Sequence, residues 1–364
     1  MMRTIGRSMA ALAVAAGVWA AGTAEAGDPV AGAQPRKPGT EAELRYWLQN
    51  MAWGFGFETD EIQAATGLSA AEIRASLAKF GITPENKPAR AKDAPLAMLP
   101  WPGGRRISGT RNARVEAARQ RDTKAGVLAP FADGGYAVLD MPEVLYVARE
   151  GDAGRRALYV AHYLGYSVWE SDEHLRLEPI EWKRAADHIL ETGREFPKGK
   201  RYSSRFTSKF VAFRRSVRMK ITLANESDGL FRGPQQVQNC VFMRNLKGGF
   251  GGPDSRDVAA KGYHARSSAD GMRWIIVAWV PLMTPPAFGF CPSACWGNPE
   301  MPCCHSDPQF GDIPAGESRS VYGWLSFYEG EDIHGEFERI DRTGWKDDKW
   351  EDMPQWNEAA AAYR

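Results

Sequence analysis

The densest group of reactive side chains lies at residues 291–307, Cys291-Pro-Ser-Ala-Cys295-Trp-Gly-Asn-Pro-Glu-Met301-Pro-Cys303-Cys304-His305-Ser-Asp307. Four of the chain's five cysteines, a histidine and an aspartate fall within this one stretch. An imidazole next to a carboxylate can move protons near neutral pH. Thiolates with an imidazole can also hold a divalent or soft metal, for which the set would be Cys295, Met301, Cys303 and His305. The cysteine spacing matches no common zinc pattern, so neither metal nor cofactor is expected. The spacing instead predicts disulfides joining Cys303 or Cys304 to Cys291 or Cys295, because adjacent cysteines rarely bridge each other without strain. Five is odd, so one thiol stays free or pairs between chains. Cys240, on an apolar run, is the candidate for the buried one.

Further candidates are scattered. Glu329 follows the apolar-aromatic run 324–328, and a carboxylate at a strand end suits proton transfer. His305 and Glu329 are therefore expected to form a proton-transfer pair, with His162 and Asp307 orienting them. Trp296, Asn239 and Arg205 offer an aromatic face, an amide and a guanidinium to a hydroxyl-rich or anionic ligand. Residues 194–220 hold ten Lys/Arg against one Asp/Glu, a patch suited to an acidic polysaccharide. Residues 170–191 hold seven acids against three bases, and pairing with them as a neighbouring strand would neutralise that patch. Gly248-Gly-Phe-Gly-Gly252 precedes no helix, and no Gly-x-Ser-x-Gly elbow occurs. Nucleotide and serine-hydrolase chemistry are thereby disfavoured.

Several elements must position these groups. Arg3 and Arg7, the apolar run 9–21 and Ala24-Glu25-Ala26 form an export signal over residues 1–26. This predicts a periplasmic or secreted protein with no transmembrane segment. Residues 27–40 read as a linker. Residues 41–83 read as a helical module, with Leu44, Trp47, Leu48 and Met51 at helical spacing and a Ser69/Glu72 capping box. Its helix-Gly-helix run at 60–74 has the form of a helix-turn-helix. Arg74 and Lys79 alone on its second helix argue for a cap or a protein-docking module, not for nucleic acid. Residues 84–102 form a Pro-rich connection. Residues 103–334 then show strand runs at 136–147, 158–168, 175–182, 202–213, 217–224, 234–243, 272–280 and 318–328. The run 217–223 alternates strictly, predicting one buried face and one wet face. Residues 335–364 form an acidic tail whose tryptophans should pack back on the body.

The chain has 364 residues, 46 Lys+Arg against 45 Asp+Glu, and 43% hydrophobic residues. Such a balance excludes a disordered chain and a generally basic nucleic-acid binder. The pattern of strands predicts a mainly β protein, a large antiparallel two-sheet β-sandwich with a small N-terminal helical module.

Two segments resemble the galactose-mutarotase superfamily. One is the strand, Asn turn and strand Val217-Arg-Met-Lys-Ile-Thr-Leu-Ala-Asn225-Glu-Ser-Asp228 with Pro234-Gln-Gln-Val-Gln-Asn-Cys-Val-Phe. The other is Ile313-Pro-Ala-Gly-Glu-Ser-Arg-Ser-Val-Tyr-Gly-Trp. The likeness implies a large sugar-binding sandwich. Where the superfamily tends to carry Asn-His, this chain has Asn239-Cys240, so epimerisation by the usual His/Glu pair is not implied. Trp296-Gly-Asn-Pro with Pro302-Cys-Cys-His-Ser-Asp-Pro also resembles exported bacterial proteins of unassigned function. The reading is thus an exported carbohydrate-binding or carbohydrate-processing protein, acting by acid–base lysis, hydrolysis or isomerisation if catalytic. The alternatives are a non-enzymatic scaffold whose helices dock a protein partner, and a Cys/His metal protein.

Overall fold

The computed structural model describes residues 35–105, 121, 123–152, 156–160, 167–169, 180–196, 201–233, 236–243, 245–280, 293–296 and 302–347. The expected export signal at residues 1–26, His162, Cys291 and Met301 lie outside these. Strands and helices are numbered along the chain. Among the described residues, two antiparallel sheets hold eight strands each. The first runs β1 (Met98–Pro100), β2 (Lys124–Leu128), β3 (Tyr136–Val147), β10 (Gln236–Phe242), β15 (Cys303–Ser306) and β14 (Ser293–Trp296), with β4 (Arg156–Val160) and β5 (Ser167–Trp169) beside β3. The second runs β11 (Asp257–Ala260), β12 (Tyr263–Ser267), β13 (Arg273–Val280), β16 (Ser318–Glu329), β9 (Ser216–Asn225), β8 (Ser204–Ala212), β7 (Ile189–Glu195) and β6 (Lys183–Ala186). The single strand expected at 158–168 is instead the antiparallel pair β4 and β5, with Leu158 opposite Trp169.

The period-2 pattern explains the sandwich. Val217, Met219, Ile221 and Leu223 of β9 and Ala137, Leu139 and Met141 of β3 all enter one core between the sheets. The alternate residues Tyr136 and Val138 face outward, into a second cluster with the N-terminal helices. Those helices are α1 (Glu41–Gln49), α2 (Thr59–Thr66) and α3 (Ala70–Phe80), with a π-helical turn at Asn50–Phe55 after α1. The Ser69/Glu72 capping box forms, and Gly67, in the left-handed region at φ 71°, closes α2. Phe55 rests on the sheet over Gly126, where a Cβ would stand 2.2 Å from the ring. Arg105 fastens the module by pairing with Glu61 and donating to the Phe55 carbonyl (3.1 Å) and to the Tyr136 hydroxyl (2.5 Å).

The outer face of β9 is wet in part, with Lys220 and Thr222 half-buried beside an open groove, but it is covered at Arg218. Helix α4 (Ile333–Asp341) and Trp345 cover the second sheet there. Arg218 is buried beneath Trp324, its guanidinium 4.3 Å from that ring. Trp345 is wholly buried and donates to the Tyr263 hydroxyl at 2.7 Å.

The resemblance segments meet as a turn. Asn225 is buried, donates to the carbonyls of Gly229 (2.7 Å) and Ile313 (2.8 Å), and accepts from Ser227 (2.7 Å). The Asn turn and the Pro-Ala-Gly-Glu turn are therefore one hydrogen-bonded structural unit.

Candidate active site

Residues far apart in sequence form a polar row across the first sheet. Lys124 lies opposite Asp140, Asp140 opposite Cys240, and Cys240 opposite His305. Two residues along, Gly126, Val138, Phe242 and Cys303 form the next row. Cys303 and His305 share a face because they are two apart on one strand. Cys240 and Cys303 belong to the cluster on the helix side of this sheet. The centre therefore lies on the outer face of the first sheet.

A register shift supplies its remaining members. Between Cys240 and Gln238 the partners on β3 jump from Asp140 to Val144, leaving Asn239 outside the ladder. Its backbone N–H donates to Asp307 Oδ1 at 2.9 Å and its Nδ2 to the Ser306 carbonyl at 3.2 Å. Its buried Oδ1 has no hydrogen-bond partner among the described residues. Asp307 thus sits beside His305, with Nδ1 to Oδ1 at 3.8 Å. At that separation the contact is an ion pair, longer than a hydrogen bond.

The electrostatics follow from crowding. Burial pushes the Cys240 thiol well up, and its contact with Cys303 adds to that. Cys303 moves the other way, down to about 6, because Cys240 and the His305 imidazole stabilise its thiolate against burial. Burial alone would lower His305, but Asp307 and Cys303 outweigh it and push the imidazole up to about 11. Burial raises Asp307, opposed by His305. These shifts favour a thiolate at Cys303 beside an imidazolium at His305, with Asp307 on its far side. Beside this centre along the row, Lys124 and Asp140 form a fully buried ion pair at 2.9 Å, and the Thr123 hydroxyl donates to Asp140 at 2.5 Å.

Cys240, Cys303 and His305 each offer a donor atom, all within 4.8 Å of one another, a set suited to a soft cation. This differs from the expected metal set: Cys240 joins Cys303 and His305. Met301 lies outside the described residues, and Cys295 is placed only by register, opposite Cys304.

Among the described residues, no disulfide joins Cys240, Cys303 or Cys304. Cys291 lies outside those residues, so the pairing of Cys303 or Cys304 with Cys291 or Cys295 stays an expectation. Consecutive residues on a strand face opposite ways, so Cys303 turns to the outer face and Cys304 into the inter-sheet core. There Cys304 Sγ lies 3.3 Å from His264 Nδ1, and His264 Nε2 lies 3.3 Å from Asp257. This second thiol–imidazole–carboxylate chain has its thiol buried in the core.

The structure does not join His305 to Glu329. Glu329 ends β16 on the other sheet and meets Arg273 at 3.3 Å. Arg205, on β8, pairs with Glu226 at 3.1 Å and is remote from the row, in the second sheet. Asn239 is at the centre. Trp296 is opposite Cys303 in the register, which places its backbone on the neighbouring strand. Sequence reasoning missed Glu143, whose charge acts on Cys303, His305 and Asp307, and missed the role of Cys240. Two acids, Asp140 and Glu143, inside an otherwise apolar strand were the available sign.

No protein-family profile matches the chain. A search of curated proteins finds no match. Among solved structures, the chain is similar to the Slr1438 protein from Synechocystis sp. PCC 6803, at 10% identity and TM-score 0.30 over 52% of this chain and 96% of that one. It is similar to a galactose mutarotase-like protein from Lactobacillus casei, at 7% identity and TM-score 0.30 over 53% and 85%. It is also similar to an aldose 1-epimerase candidate from Escherichia coli K12, at 12% identity and TM-score 0.31 over 50% and 79%. At such identities and scores the likeness carries no argument about this chain. No helix among the described residues is long and apolar enough to cross a membrane.

Proposed function

We propose that this is an exported carbohydrate-processing enzyme working by acid–base chemistry on the outer face of the first sheet. The observation that carries the reading is the chain Cys303–His305–Asp307, with Asn239 at its side. His305 delivers a proton to a ring or leaving oxygen, and Asp307 holds the imidazole in place. The Cys303 thiolate takes a proton from the opposing hydroxyl, so the pair ends as neutral thiol and neutral imidazole until solvent resets it. The sugar class is supported by the resemblance of residues 217–228, 234–242 and 313–324, and export by the basic, apolar and small-residue pattern of residues 1–26.

The test is a panel of aldoses and oligosaccharides, followed by proton NMR for anomer exchange and bond cleavage. Wild-type protein should turn over one glycan class. His305→Gln and Cys303→Ser should each lose about 10²–10⁴-fold in rate while keeping the wild-type melting temperature. Full activity in His305→Gln would remove the assignment.

A further inference from the structure

A concavity of about 500 Å³ opens at the end of the second sheet, and none of its lining residues belongs to a strand of the first. The β8–β9 turn, the end of β16, α4 and residues 90–92 wall it. Its cations are Arg90, Lys92, Arg214, Arg215 and Arg339, and its carboxylates are Glu329 and Glu336. Both carboxylates are already engaged. Glu329 meets Arg273, and Glu336 accepts two hydrogen bonds from Arg339 at 2.6 Å each. Arg214 meets Asp93 at 3.1 Å. Arg90, Lys92 and Arg215 are left with no carboxylate partner among the described residues.

Arg90 is held in an unusual way. Its guanidinium donates to the backbone carbonyls of Pro95 (2.9 Å), Ala94 and Arg214 (3.0 Å). Carbonyls orient a cation but do not cancel its charge. Burial and the charge of Arg214 accordingly hold Arg90 below the ordinary guanidinium range. Cations gathered without counter-charge repel one another unless an anion joins them. Elsewhere on the basic segment that need is met: Lys209 pairs with Glu191 across β7 and β8 at 2.8 Å. At the β8–β9 turn, Arg215 has no carboxylate partner among the described residues. Below it lie the buried rings of Phe131 and Phe327, with Tyr328 alongside.

We propose that this cavity binds an anionic saccharide, with its carboxylate groups taken by Arg215, Lys92 and Arg90 and a sugar face set against the aromatic floor. A guanidinium fork matches a carboxylate in two hydrogen bonds, and an aromatic surface accepts the C–H side of a pyranose. The volume is ordinary for a small-molecule site. The anion class stands on this geometry alone; the saccharide part rests on the carbohydrate reading above.

The experiment is calorimetric titration of the full chain with trigalacturonate, neutral maltotriose and inorganic phosphate. Wild type, His305→Gln and the double variant Lys92→Ala/Arg215→Ala are compared. Both replaced side chains are exposed, so the variant should fold, which its melting temperature checks. Trigalacturonate should bind wild type and His305→Gln alike. The double variant should bind about tenfold more weakly or worse, and raised salt should weaken wild-type binding. Maltotriose should not bind. Absence of trigalacturonate binding, or equal binding by the double variant, overturns the site. Equal binding of maltotriose overturns the anion assignment. Phosphate competing at equal concentration overturns the saccharide assignment. Intact binding in a His305→Gln protein separates this site from the proton-transfer centre.

Discussion

Cys303 should be the thiol whose reactivity reveals the centre. Its ordinary value of 9.0 is lowered to about 6 by Cys240 and His305. At pH 7 a thiol with pKa about 6 is about nine-tenths thiolate, whereas an ordinary one is about one-hundredth. That alone would give a rate advantage of roughly 90-fold. Nucleophilicity falls with pKa, with a Brønsted slope of about 0.4–0.5, so three units cost roughly 15–30-fold in intrinsic reactivity. The net gain at pH 7 is therefore only about three- to six-fold, and an ordinary thiol should overtake Cys303 at about pH 7.5–8. The decisive readout is thus the shape of the pH profile. Alkylation by iodoacetamide, resolved by peptide mass spectrometry, should rise to a plateau with a midpoint near pH 6. Partial burial of Cys303 scales the rates but leaves the midpoint in place. His305→Gln removes the imidazolium and should move the midpoint upward by about one unit or more. Asp307→Asn should move it less, because Asp307 acts through His305. A wild-type midpoint between about 8 and 9, or superimposable profiles for wild type and His305→Gln, would refute the ion-pair reasoning.

Three further outcomes follow from packing. Asp140→Asn removes the carboxylate that the buried Lys124 ammonium meets and should cost about 3–5 kcal/mol, whereas Lys124→Met with Asp140→Leu should cost less; urea unfolding of wild type and the two variants decides it. Trp345→Ala empties a wholly buried site against Trp324 and Tyr263, and should cost about 3–5 kcal/mol in the same assay. Gly104→Ala should loosen the helical module, because at φ +81° its Cβ would stand 2.3 Å from the Glu61 carbonyl oxygen; faster hydrogen exchange across residues 59–80 is the check.

Local chemistry made much of this molecule legible from its residues. The Ser69/Glu72 cap depends on groups three residues apart, and β3, β9 and β16 are long alternating or apolar runs. Short strands escaped. Cys303–Ser306 is four polar or small residues with no periodicity, and it becomes a strand because β10 and β14 flank it. Helix α4 was hidden in an acidic segment, since its four buried positions, Ile333, Glu336, Phe337 and Ile340, matter only once a sheet face lies beneath them.

The site divides in the same way. His305 and Asp307 could be picked out because an imidazole and a carboxylate stand two residues apart in the sequence. Their partner Cys240 could not, because register between strands depends on pairing over a separation of 65 residues. Nor could sequence separate His305 from Glu329, since both are strand-end groups, and only the pairing of strands places them on different sheets. Residue types set which reactions are available. The register of β3, β10 and β15 decided which of those residues meet, because a shift of one residue would turn every side chain to the opposite face.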